Sequence, residues 1–128
     1  MQPTFQTFLL VACGGAIGSI ARYGVALSAQ RLSIQLPIGT FTANLIGCFL
    51  IGVISQIAVN TTMISPAVRL FLIAGFCGGF TTFSTFAFEI VGLIDGGHLL
   101  YALVYAVLSV LLGILAIYVG IWIIKAVL

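Results

Sequence analysis

The residues able to do chemistry in this sequence are few, and most lie in one run, Gly75-Phe76-Cys77-Gly78-Gly79-Phe80-Thr81-Thr82-Phe83-Ser84-Thr85-Phe86. Two adjacent glycines followed by two threonines are poor material for a continuous helix. The run predicts a break at about Gly78–Thr81. A break frees carbonyl oxygens at the end of one half-helix and N–H groups at the start of the next, and such discontinuities build ion sites. A kink satisfied by the threonine hydroxyls is the plainer alternative. Beyond the break, Phe83 and Phe86 are three apart and share a helix face. Aromatic rings carry a negative face and a positive edge. Two ring edges can therefore attract a small, partly dehydrated anion without any formal positive charge. A carboxylate would repel that anion, and a fixed Lys or Arg would hold it too long for conduction. Packed or lipid-facing rings are the ordinary reading of the same pair.

Isolated polar residues add to this run. Thr40 and Asn44 form an i,i+4 pair with Cys48 one turn further on, and Asn44 offers two N–H donors and a carbonyl. An interhelical hydrogen bond accounts for Asn44 as readily as a pathway role does. Tyr105 and Ser109 are four apart on another face. Glu89 follows Phe86 by three; it is able to gate, to carry protons, or to pair with Arg22, the available cation. The cysteines, Cys13, Cys48 and Cys77, stand singly in apolar runs without CxxC spacing, and there is one histidine. That excludes a disulfide framework and a zinc site, and leaves small packing residues.

These side chains must be positioned by helices that cross a membrane. Of the 128 residues, 62% are hydrophobic and 5% are charged, against about 25% charged in a soluble domain. So few charges cannot cover a water-facing surface, and disorder needs the opposite composition. A span takes about 20 residues, so the length holds four and not six. The apolar runs are continuous rather than alternating, which favours helices over barrel strands. The expected architecture is an all-α membrane protein, one domain over residues 1–128. Spans are expected at about 4–28, 37–59, 66–94 and 99–127, with the third broken near its middle. Pro3, Pro37 and Pro66 fall at span starts, where a missing N–H costs nothing. Ser65 reads as an N-cap and Asp95-Gly96-Gly97 as a turn. The first segment is expected to be a retained span rather than a signal peptide, since it lacks a basic n-region and its apolar run is too long.

The net charge is +2 with no basic patch, so nucleic acid is not an expected partner. Arg31 and Asp95 fall on one side of the membrane, Arg69 and Lys125 on the other, and Arg22 near the Arg31 side. This basic balance sets no orientation. Either a weak bias decides, or equal populations insert each way and pair as an antiparallel homodimer. Gly14-x-x-x-Gly18, Ala43-x-x-x-Gly47 and Ala116-x-x-x-Gly120 supply small residues for close helix packing in lipid.

The run from Gly78 to Phe86 resembles the core signature of the Fluc/CrcB fluoride channels. Gly14-Gly15-x-x-Gly18-x-x-x-Arg22-Tyr23 is similar to that family's first-span motif, and Gly39-Thr40-x-x-x-Asn44-x-x-Gly47 to its second. The resemblance covers nearly the whole chain. It implies a dual-topology antiparallel homodimer in the bacterial inner membrane, with membrane lipid around it and two fluoride pathways. It places Asn44, Phe83, Phe86, Tyr105, Ser109, Thr82 and Ser84 along the pathway. It implies a structural Na⁺ at the dimer centre on the carbonyls of Gly78 and Thr81 from both subunits. Arg22 and Glu89 become vestibule or gating charges. Gly113 stands where some members carry another hydroxyl, which bears on the polar track and not on the function. A passive channel of this kind lowers cytoplasmic fluoride and confers fluoride resistance.

A small multidrug-type exporter also has four spans and dual topology, but it needs an acid in its first span, where this chain has Arg22. An accessory subunit of a larger complex is the non-transport alternative. No nucleophile–base pair, metal cluster or phosphate loop has usable spacing, so an enzyme is not expected. Replacing Phe83 or Phe86 with Ile is expected to cut fluoride conduction severely while the dimer survives; wild-type flux in both variants, measured in liposomes, would rule out aromatic anion sites.

Overall fold

The computed structural model describes residues 4–32 and 36–128. Pro3 lies outside them. Among the described residues, four helices are long and apolar enough to cross a membrane, namely Phe5–Gln30, Ile38–Asn60, Pro66–Asp95 and Leu99–Val127. The chain is an all-helical, multi-pass membrane protein. The first span is helix α1 (Phe5–Gln30), whose N-cap Thr4 forms a reciprocal capping box with Thr7. The second is α2 (Ile38–Asn60), with Pro37 at its N-cap. The fourth is α6 (Leu99–Val127). Short connections make successive spans run up and down.

The third span is composite. It opens with α3 (Pro66–Arg69), where the Ser65 hydroxyl accepts from the Val68 N–H at 3.3 Å and Pro66 takes the first turn. A π-helical segment, Leu70–Cys77, follows without interruption. One α-turn, α4 (Gly78–Phe80), ends it. Thr81 (φ −88°, ψ 156°) and Thr82 (φ −150°, ψ 121°) are extended. Helix α5 (Phe83–Asp95) then completes the crossing. The break therefore sits at Thr81–Thr82, just past the glycine pair on which the sequence centres it. Gly78 and Gly79 stay helical. Gly79 serves close approach instead: a β-carbon there would collide with the Gly15 backbone. Threonine tolerates extended backbone well, and the Thr82 hydroxyl satisfies the Thr85 N–H that the break releases.

Lipid gives helices no hydrophobic reason to associate, so packing rests on close contact. Helix α1 lies against the π-helical segment and α4, while α2 lies against α6. Both contacts run through small residues. A β-carbon on Gly14 would sit 2.5 Å from the Phe71 carbonyl oxygen and 2.9 Å from the Phe76 nitrogen. One on Gly120 would sit 2.6 Å from the Phe49 carbonyl oxygen. Ala43, Gly47 and Gly52 of α2 and Ala102, Gly113 and Gly120 of α6 are buried. The buried core is correspondingly thin in large side chains, and Phe80, Phe86, Tyr105 and Ile54 supply most of its bulk. Large apolar residues cover the outer surface, as a lipid-facing protein requires.

Two glycines of α1 separate packing from propensity. A β-carbon at Gly18 would collide with the Phe76 carbonyl oxygen and lie 2.8 Å from the Phe80 nitrogen, whereas nothing lies within 4 Å of one at Gly24. Gly18→Ala is expected to destabilise the fold by about 1–3 kcal/mol, and Gly24→Ala to stabilise it by up to about 1 kcal/mol. Thermal unfolding in detergent distinguishes the two; equal midpoints would contradict the packing account.

Candidate functional site at the broken third span

The break is held by one side chain. The Asn44 amide of α2 faces Thr82 and makes two complementary hydrogen bonds. Its Oδ1 accepts from the Thr82 N–H at 2.7 Å, and its Nδ2 donates to the Thr82 carbonyl at 3.1 Å. The side chain thus pairs with the extended residue as a neighbouring strand would. This satisfies both main-chain groups of Thr82 at membrane depth, where unpaired groups are costly. One Nδ2 hydrogen remains free for another acceptor.

Hydroxyls complete the break. The Thr81 Oγ1 donates back to the Cys77 carbonyl at 2.8 Å, and the Cys77 carbonyl also accepts the Thr81 N–H at 2.9 Å. The Thr82 hydroxyl caps α5 by accepting from the Thr85 N–H at 3.3 Å. It also donates to the Thr85 hydroxyl at 3.0 Å. These bonds have a consequence for carbonyl oxygens. In a continuous helix the Gly78 carbonyl would accept from the Thr82 N–H and the Thr81 carbonyl from the Thr85 N–H. Both donors are diverted, to Asn44 and to the Thr82 hydroxyl. Gly78 is exposed. Carbonyl oxygens released in this way suit a hard cation.

On the α6 side of the break lies an open cleft of about 260 Å³. Asn44, Cys48, Ile51, Thr81, Thr82, Phe83, Phe86, Ser109 and Val110 line it. The Phe83 and Phe86 rings are 5.7 Å apart and inclined by 48°. They differ in setting. Phe83 is 79% exposed and Phe86 is 9% exposed. Phe86 meets Tyr105 edge to face, with centroids 5.1 Å apart. Ser109 points its hydroxyl into the protein, and this Oγ is buried without a hydrogen-bond partner. Ser84 is exposed, its hydroxyl 3.4 Å from that of Thr82.

Glu89 stands two turns along α5. Thr40 donates to its Oε1 at 2.6 Å and Tyr105 donates to its Oε2 at 2.8 Å. Both carboxylate oxygens are thus taken by hydroxyls, one from α2 and one from α6. The expected pairing of Glu89 with Arg22 is not what the structure shows. Arg22 lines a separate cleft of about 220 Å³ with Ser19, Tyr23, Thr40 and Thr85. Glu89 faces a larger one of about 480 Å³, walled by the end of α1 and the start of α2. Ala26, Gly39 and Thr40 line both.

The structure therefore gathers Asn44, Thr82, Phe83, Phe86 and Ser109 at one cleft and connects Phe86 through Tyr105 to Glu89 and Thr40. It leaves Ser84 and Arg22 outside that cleft. The Thr40–Glu89–Tyr105 clamp is the piece the sequence reading lacked. Thr40 stood out only by its spacing to Asn44, and nothing in the linear pattern joins α2, α5 and α6 at one carboxylate.

Removing the Asn44 amide leaves the Thr82 N–H and carbonyl without partners, at about 1–3 kcal/mol for each group. Asn44→Ala is expected to lower the thermal midpoint markedly. Ser109→Ala removes a hydroxyl without a partner and is expected to change stability by no more than about 0.5 kcal/mol. Equal losses in the two variants would remove the special status of Asn44.

Comparison with known proteins identifies the family. Residues 9–121 match the family described as CrcB-like protein, Camphor Resistance (CrcB). A protein of Chlorobium phaeobacteroides (strain DSM 266) named fluoride-specific ion channel FluC is 50% identical over 115 residues, covering 90% of this chain and 89% of its own. One of the same name from strain BS1 is 45% identical over 120 residues, 94% of each chain. One from Leptospira interrogans (strain Fiocruz L1-130), again of that name, is 46% identical over 121 residues, 94% of this chain and 95% of its own. By family match and by identity along nearly its full length, the chain belongs to the CrcB-like family.

Proposed function

We propose that this chain is a fluoride-selective channel. The observation that carries the reading is the broken third span, clasped by Asn44 beside a cleft lined by Phe83, Phe86 and Ser109. Relatives of 42–50% identity are named as fluoride-specific ion channels. An ion channel is not an enzyme; it lowers no chemical barrier and needs only a path.

The site supports such a path chemically. A small anion entering the cleft meets the free Nδ2 hydrogen of Asn44 and the positive edges of two rings, and the Ser109 hydroxyl, which has no other partner, serves it by turning toward the cleft. None of these groups is a formal charge, so binding stays weak enough for release. Phe86 passes the pathway to Tyr105, and beyond it the Glu89 clamp faces the wide opening at the ends of α1 and α2. Because its oxygens accept from Thr40 and Tyr105, Glu89 fixes the Tyr105 ring, which in turn orients the Phe86 edge. Ser84 and Arg22 take places at the mouths of the pathway.

The functional unit in this proposal is an antiparallel, dual-topology homodimer in lipid, in a bacterial inner membrane. The even basic balance supports insertion both ways. A structural Na⁺ between subunits fits the carbonyl oxygens of Gly78 and Thr81, whose helical donors are diverted. When bound, it would supply positive charge that holds two breaks together. A membrane potential negative inside drives the anion outward. Each charge is worth about 2.3 kcal/mol per 100 mV, or roughly a 50-fold concentration ratio. Passive export of this size lowers cytoplasmic fluoride and gives fluoride resistance.

Purified protein in liposomes loaded with fluoride or chloride, in Na⁺ buffer, is expected to release fluoride within seconds and to retain chloride. Well-folded dimers that release neither anion would contradict the proposal. Release driven only by a pH gradient, and lost in Glu89→Gln, would establish proton-coupled export instead.

A further inference from the structure

Of the cleft-lining residues without a role above, Cys48, Ile51 and Val110, Cys48 carries the one reactive group. Cys48 lies one turn beyond Asn44 on α2, is half-buried, and lines the cleft with Phe83, Phe86 and Ser109. Its thiol is free. Opposite it on α6 is Gly113, where a β-carbon would lie 3.4 Å from the Cys48 sulfur. The sulfur thus occupies the space into which a side chain at position 113 would grow. One turn before Gly113, the buried Ser109 hydroxyl lacks a partner. At this level α6 offers that hydroxyl and then bare backbone, and α2 offers a bulky, weakly hydrogen-bonding sulfur.

We propose that Cys48 is a further selectivity-determining residue of the anion pathway, its sulfur setting the width of the cleft beside Ser109. The inference rests on the channel reading. A thiol donates too weakly to replace the water of a strongly hydrated anion. It acts as a spacer that keeps a passing anion against Ser109 and Asn44. A group added to this sulfur projects into the cleft, so conduction is open to block by small thiol-directed reagents. With methyl methanethiosulfonate, the Cys48 thiolate attacks the sulfenyl sulfur. An S–S bond forms to the CH₃S group, the S–SO₂ bond breaks, methanesulfinate leaves, and the thiol proton passes to water. The other two cysteines are separable, since Cys13 is exposed on α1 and Cys77 is buried.

The test treats full-length protein in liposomes with methyl methanethiosulfonate and follows fluoride efflux, with mass spectrometry to locate the gain of ~46 Da as CH₃S replaces the thiol hydrogen. Unmodified efflux tests the channel reading by itself, and the labelling pattern reports on Cys48 even if no fluoride moves. The expected result is labelling at Cys48 and not at buried Cys77, at least a tenfold loss of fluoride flux, and recovery with dithiothreitol. Flux through Cys48→Ser or Cys48→Ala, whatever its starting level, is expected to be insensitive to the reagent. Gly113→Ser is expected to crowd the sulfur and slow flux, and adding Cys48→Ala to restore it. Unchanged flux with Cys48 labelled, labelling of Cys13 without Cys48, or equal inhibition of the Cys48 variants would each overturn the proposal.

Discussion

The pairing of the Asn44 amide with the backbone of Thr82 is the interaction on which the rest of the site depends. A main chain that leaves helical geometry inside a membrane exposes groups that lipid cannot satisfy. One amide side chain supplies an acceptor and a donor in the right order, so Thr82 can stay extended. With Thr82 extended, its hydroxyl caps α5 and sets the direction in which that helix leaves the break. Phe83, Phe86 and Glu89 take their positions from that direction. Without the clasp, the cheapest state of this segment is a continued helix, and the cleft and the released carbonyls disappear together.

Packing supplies the second constraint. The third span can hold a break because its first half is immobilised against α1 through glycines that bring backbones nearly into contact. The Gly78-Gly79 pair belongs to this contact rather than to the break. A π-helical stretch precedes it. Such stretches are uncommon and often mark functional sites. Here the stretch leads into the turn that presents Gly78 and Thr81. In contrast, α5 packs mainly on α6 and keeps a broad apolar surface. A rigid first half and a lightly packed second half are what an ion site shared between two copies would need.

In the proposed anion pathway, electrostatics would work by dipoles and ring edges rather than charges. The two acids of the chain are Glu89 and Asp95, and the one within a span is clamped by hydroxyls. That clamp ties three helices to one carboxylate and aligns Tyr105 with Phe86. A carboxylate satisfied by two donors is a positioning element for the aromatic rings. For a proposed anion pathway the arrangement is coherent, since Glu89 is spent on structure and one Asn44 N–H is left for the ion.

The sequence by itself determined the broad outcome. Its hydropathy required membrane-crossing helices, its length allowed four, and the motif around Gly78–Phe86 carried the family. Ser65 as a cap and the glycine turn after Asp95 were legible because capping and turn chemistry are local. Tertiary structure alone decided which residues do the local work. The break moved to Thr81–Thr82 because Gly79 is needed against Gly15 and because Asn44, 38 residues away, could stabilise an extended threonine. Glu89 chose Thr40 and Tyr105 over Arg22 because α2 and α6 bring their hydroxyls to it first. Cys48 entered the cleft because Gly113 leaves room for its sulfur. Each of these depends on which helix faces which across lipid, and a pattern of apolar runs contains no term for that.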